Sequence, residues 1–162
     1  MLGVRLLVTV WGLVGLCLVT AAQAFHWFEP DATRAEFQRI LRPPGPVALI
    51  WNERRDAATP FMRAFEEMLN TYGTDYKQVV HKYAADWPAL ERFFAPDGFS
   101  HFVFPNYQVL DFDGLVGRLA STSYVPAPGE KGYHVLLAQT MAIFEEYAED
   151  GQVRIEYETQ VY

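Results

Sequence analysis

Three consecutive segments between residues 18 and 51 constrain the fold more than anything else in the chain. LVTAAQAF (18–25) is an apolar run of strand length, EPDATRAEFQRIL has helical spacing, and PVALIW (46–51) is an uninterrupted apolar run bounded by turn residues. An uninterrupted run of this kind is the mark of a strand covered on both faces. The helix between them is well punctuated. Pro30 suits the first helical position, Glu29 and Asp31 favour the positive end, Arg39 and Arg42 complement the negative end, and Pro43-Pro44-Gly45 stops the helix. Ala32, Ala35, Ile40 and Leu41 share a face, with Phe37 at its margin. Strand, helix and buried strand make a βαβ unit. Such a crossover is right-handed in nearly all cases, and ligands bind outside the carboxyl ends of the parallel strands. Here those ends are Gln23 to Trp27 and Asn52 to Asp56.

The same stretch supports a competing reading. Ala22-Gln23-Ala24 is the small-x-small pattern of a signal-peptidase site, and it follows Arg5 and the charge-free run Leu6 to Val19. That run matches the apolar core of a leader and is short for a membrane span, which needs ~20 residues. A chain exported and cleaved after Ala24, or tethered by membrane contact through residues 2–19, is the alternative to a cytoplasmic protein. It would be a secreted or membrane-tethered domain without catalysis.

The bulk numbers narrow the function classes. With 162 residues and 51% hydrophobic content the chain suits one domain with a real core. A net charge of −7, with 13 Lys and Arg scattered and no basic stripe, speaks against nucleic-acid binding. Cys17 is the sole cysteine, which excludes an intrachain disulfide and a Cys-based zinc cluster. His26, His81, His101 and His134 are too far apart in sequence for a local metal motif, so no metal site is expected. There is no G-x-S-x-G, H-E-x-x-H, Walker or G-x-G-x-x-G motif, and the two GLVG tetrads at Gly12 and Gly114 carry no phosphate-binding geometry. His26 is the histidine that the βαβ unit places at a strand's carboxyl end, where a base near neutral pH is useful.

Downstream, TPFMRAFEEMLNTYG predicts a helix capped by Thr59, with Phe61, Ala64, Phe65, Met68, Leu69 and Tyr72 as a core stripe and Gly73 as its end. A short helix is expected around Trp87 to Phe94. Ser100 to Leu110 reads as a strand in which Pro105 demands an edge or a bulge. FDGLVGRLASTS predicts another short helix. Tyr133, Leu136, Leu137, Thr140, Met141, Phe144 and Tyr147 mark one face of a last helix closed by Gly151. In VRIEYETQVY the apolar residues Val153, Ile155, Tyr157, Thr159 and Val161 alternate with polar ones, as in an antiparallel strand with one wet face.

Taken together, AAQAFHWFEP, AEFQRILRPPGPVALIWNERRD, PFMRAFEEML, LDFDGLVGRLASTSY and IEYETQVY resemble class I S-adenosylmethionine-dependent methyltransferases. The likeness is to the type 11 group related to trans-aconitate methyltransferases. It runs from about Leu18 to Tyr162. The resemblance implies an α/β fold, the C-terminal portion of a Rossmann-like sheet: a parallel βαβ unit plus antiparallel edge strands. AAQAFHWF would be the fourth strand of seven with its following loop, and ALIWN the fifth. The family's first three strands, with their glycine-rich donor loop and ribose-binding acid, have no counterpart here. Residues 1–17 are too few to hold them and read as an apolar leader or a non-native start, with 18–162 a partial methyltransferase domain. Pro44 also stands where the family usually has Gly.

By the same resemblance the intact fold transfers a methyl group from S-adenosylmethionine to a small-molecule acceptor. Gln23, Phe25 and Trp27 would line the donor site, the two rings by cation–π attraction to the sulfonium. His26 would be the catalytic base, and Asn52 and Arg54 would orient an anionic acceptor. The chain alone is expected to bind the donor weakly or not at all. A separately supplied N-terminal half is the implied partner.

Overall fold

The structure, a computed structural model, describes residues 15–77 and 86–162. Val19–Ala22 (β1) pairs in parallel with Val47–Arg54 (β2), with Val19 opposite Val47 and Ala22 opposite Ile50. The helix Pro30–Ile40 (α1) connects them, so the expected βαβ unit forms. Glu29 caps α1, its carboxylate accepting from the amides of Asp31 and Ala32. The face that anchors α1 differs from the expected one. Ala32 and Ala35 are exposed, and Phe37, expected at the margin, supplies the contact by packing on Phe93 at 6.0 Å. An alanine methyl is too short to reach across to that ring, whereas a phenyl ring is not.

Pro60–Tyr72 (α2) starts at its Thr59 cap, whose hydroxyl accepts from the Met62 amide at 3.1 Å, and ends at Gly73. Trp87–Phe94 (α3), Phe102–Leu110 (β3), Phe112–Ala120 (α4), Tyr133–Tyr147 (α5) and Val153–Val161 (β4) follow. The sheet order is β1-β2-β4-β3, with β4 antiparallel to both neighbours. α5 ends at Ala148, and Gly151 serves the turn into β4 with Asp150, both at positive φ.

Two apolar layers flank the sheet. One gathers Phe61, Met62, Phe65, Met68 and Leu69 of α2 against Leu115, Leu136, Val153, Ile155 and Tyr157. The other gathers Ala21, Phe25, Leu49, Trp51, Leu90, Phe93 and Tyr162. The alternation of β4 thus holds on the α2 side. On the other side it is interrupted at Gln160, which is buried and accepts a hydrogen bond from His101 at 2.6 Å. Met141, expected to face inward on α5, is 39% exposed, and Ile143 packs instead.

Hydrogen-bond parity along the sheet decides what its two edges offer. The amides of Val19 and Gln23 donate to Pro46 and Ile50, so the N–H and C=O groups of Thr20 and Ala22 point away from β2. Leu49 and Tyr162 exchange both backbone bonds, which turns Thr159 and Tyr157 toward β3 and Val103, Pro105, Tyr107 and Val109 toward the far edge. Pro105, which has no N–H, therefore lies at an outward position. Its placement is an edge and not a bulge.

Candidate functional site

The carboxyl ends of β1 and β2 are stitched together by Gln23. Its backbone turns out of the strand at φ 51°, its amide donates to Ile50 O at 2.9 Å, and its Nε2 donates to Asn52 O at 3.1 Å. Asn52 then begins a polar row across the sheet. Its Oδ1 accepts from Thr159 Oγ1 at 2.6 Å and from Asn106 Nδ2 at 3.3 Å, so β2, β4 and β3 are tied together at this end.

Two residues further on, Arg54 is enclosed. Its guanidinium donates to Asp56, to Glu66 at 2.5 Å and to the Tyr76 hydroxyl, which itself donates to Glu66. The rings of Phe65 and Tyr76 lie 5.5 and 5.7 Å from the cation. Burial works against the charge of Arg54, but Tyr76, Asp56 and Glu66 outweigh it and push the guanidinium pKa up. Burial, and then donation to Glu66, raises that of Tyr76. Neither group exchanges a proton near neutral pH. The cluster is a fixed wall carrying two carboxylates for one guanidinium.

This wall bounds a cavity of about 550 Å³ at the carboxyl ends of the parallel strands, lined also by Gln23, Asn52, Glu53, Arg118, residues 121–124 and Tyr157. The loop closing it is held by the Thr74 amide donating to Tyr124 O at 3.0 Å and by the Tyr76 and Tyr124 rings, 5.1 Å apart. A cavity of this size suits a small organic ligand.

The structure thus brings Gln23, Asn52 and Arg54 together, and Phe25, His26 and Trp27 do not line the cavity. Phe25 opens a 3-10 turn, Phe25–Trp27, and is 5% exposed, with Trp51 and Phe93 edge-on at 6.2 and 4.7 Å. Its ring is a core ring. Trp27 is 73% exposed, 5.0 Å from the His26 ring. Burial lowers the His26 pKa, which keeps the imidazole neutral at neutral pH. Arg54 is engaged by the chain's own carboxylates, whereas Arg118, a cation of the same cavity, bonds to Ser121 Oγ at 3.3 Å. Tyr76, Glu66, Arg118 and the 121–124 loop went unnoticed in the sequence. Glu66 did carry a signal, standing at the edge of the core stripe of a periodic helix, beside Phe65. Among the described residues no group of His, Cys, Asp or Glu could hold a metal ion. No described helix is long and apolar enough to cross a membrane. Residues 1–14 of the apolar N-terminal segment and His81 lie outside the described residues.

A parallel pair flanked by an antiparallel β4 and an outermost β3, with a cavity at the carboxyl ends, is a fold this chain shares with a solved structure described as a methyltransferase. The comparisons with known proteins agree. An uncharacterized methyltransferase-like protein of Schizosaccharomyces pombe is 26% identical over 151 residues, 90% of this chain and 56% of its own length. An uncharacterized methyltransferase of Mycobacterium bovis is 38% identical over 55 residues, 34% of this chain and 22% of its own length. A solved structure from Anaeromyxobacter dehalogenans, described as a candidate type II methyltransferase, superposes with a TM-score of 0.57 at 16% identity, covering 91% of this chain and 62% of its own. No family model matches. The chain spans about half the length of the S. pombe relative, 56%.

Proposed function

We propose that this chain forms the acceptor side of an S-adenosylmethionine-dependent methyltransferase acting on a small molecule. The observation that carries the reading is the cavity joining Gln23, Asn52 and the Arg54 cluster at the carboxyl ends of β1 and β2. When bound, the donor supplies an activated methyl group on a cationic sulfonium. The residues here suit that end of the donor. The exposed Trp27 ring offers a cation–π surface worth roughly 0.5–1 kcal/mol, Gln23 has an exposed amide, and the carboxylate excess around Arg54 favours a nearby positive charge. Asn52 and Arg118 orient the acceptor, and orientation is the larger part of catalysis for a donor already activated. His26, neutral near pH 7, is able to take a proton from a hydroxyl or amine acceptor if Trp27 and the turn carrying it close over the site.

The side of β1 that no described strand covers fits this reading. Further parallel strands added there would satisfy the outward groups of Thr20 and Ala22 and would bring the remaining contacts to the donor. The test is transfer of a labelled methyl group from S-adenosylmethionine to a panel of small carboxylates, phenols and amines. It is run with this chain alone and with the N-terminal half of the A. dehalogenans protein added. Transfer is expected in the second case, lost on Asn52→Ala. A complex that forms but transfers nothing to any acceptor class would overturn the proposal.

A further inference from the structure

A second cavity, of about 500 Å³, opens at the opposite end of the parallel strands, beside Val47 and Ala48. It lies between α1, the end of α3 and the loop that follows. Its walls are aromatic: Phe37, Phe93, Phe94 and Phe99 line it, and Phe102 and Tyr162 flank the floor. These rings are already arranged edge-on or tilted to one another, Phe93 to Phe94 at 5.0 Å and Phe94 to Phe99 at 5.2 Å. Phe37, Phe94 and Phe99 are only partly buried, each keeping one side toward the cavity. An aromatic guest would extend the same geometry at no cost in ring rearrangement.

One charged group distinguishes this cavity from a patch of core left open. Arg34, half-buried on α1, lines it and has no ion pair or hydrogen bond among the described residues, whereas Arg39 on the same helix is tied to Glu36 at 2.7 Å. The lining carboxylate, Asp97, is exposed and makes no ion pair with Arg34. A guanidinium held beside phenyl rings and not tied to a carboxylate of the described residues recognises a planar carboxylate attached to an apolar body. We propose that this cavity is a binding site for a small aromatic carboxylate, its ring among Phe37, Phe94 and Phe99 and its carboxylate on Arg34. The site is independent of the methyl-transfer reading, because it lies at the other end of the sheet.

The experiment is calorimetric titration of the full chain with 2-naphthoate and with its neutral isostere 2-naphthamide. 2-Naphthoate is expected to bind the tighter by roughly tenfold, the contribution of one charge-assisted hydrogen bond. Arg34→Gln, which keeps a polar side chain on α1, should abolish that difference and leave 2-naphthamide unaffected. Val47→Phe, on the face of β2 that Leu49 and Trp51 share with Phe93, narrows the cavity and should weaken both ligands, and Arg118→Gln in the other cavity should change neither. The proposal is overturned by an absence of saturable 2-naphthoate binding, by equal affinity for the two ligands, or by a preference that survives Arg34→Gln.

Discussion

The two edges of the sheet are built by opposite rules. β3 is long and apolar on both faces, with Phe102, Val103, Phe104, Tyr107 and Val109 about half exposed, which would make it an adhesive edge. It carries devices against that. Pro105 removes the outward donor at its centre, and the Arg154 guanidinium stands 4.0 Å over the Tyr107 ring. β1 is short, VTAA, and carries neither a charge nor a proline to interrupt the outward groups of Thr20 and Ala22. An edge defended by proline and charge is the border of a sheet. An edge that no described strand covers, preceded by the apolar Leu16 and Leu18 at 47% and 50% exposure, is suited to receive strands.

Transplanting the device from one edge to the other has the largest expected effect. Thr20→Pro removes only the outward N–H and should leave the pairing with β2 intact. It should weaken binding of a strand-bearing N-terminal half by roughly 10- to 100-fold, the cost of one donor lost opposite a buried carbonyl. Titration of wild type and variant with that half decides it, and equal affinities would show that strands are not added at β1. The reciprocal change, Pro105→Thr, restores the missing donor of β3. Sedimentation velocity should then show self-association tightened by roughly fivefold per pairing bond regained. An unchanged sedimentation profile would mean that shape, and not the absent N–H, protects this edge.

Smaller effects sharpen the contrast at the strand ends. His26, just past β1, is held neutral by burial, so its folded pKa lies below the ordinary 6.5. The unfolded chain takes up the proton first as pH falls. The stability this imposes is present above pH 6.5 and declines as pH drops through the lowered value. Denaturant midpoints measured from pH 8 downward should fall in that window for wild type and stay level there for His26→Gln. At the other edge, Arg154→Ala should cost only about 0.5–1 kcal/mol, the worth of an exposed cation–π contact. A denaturation midpoint displaced by more than twice that would give Arg154 a larger role than guarding Tyr107.

What the sequence disclosed depended on the range over which each residue acts. Caps and helix ends are local, and Thr59, Gly73, Glu29 and Pro30 stand where their chemistry placed them. The βαβ unit was equally legible, because a covered strand betrays itself by its unbroken apolar run. The Arg54 cluster was not. Its partners Glu66 and Tyr76 are 12 and 22 residues away on separate segments, and no periodicity links a guanidinium to such a pair. Phe25 shows the converse limit. Adjacency to His26 and Trp27 suggested a shared task, but successive residues of a tight turn point in different directions, and one of the three became core.

The place of β4 has a bearing on how the molecule is made. It is the last of the described strands in sequence and sits between β2 and β3, so β2 and β3 are not joined until it arrives. During synthesis β3 emerges and must wait, apolar on both faces, while α4, α5 and their loops are still being added. Closing such distant pairings is slow, because chain entropy is lost before any contact repays it. Nascent chains arrested before Val153 should therefore present β3 to chaperones in full, and emergence of β4 should be the event that ends their hold.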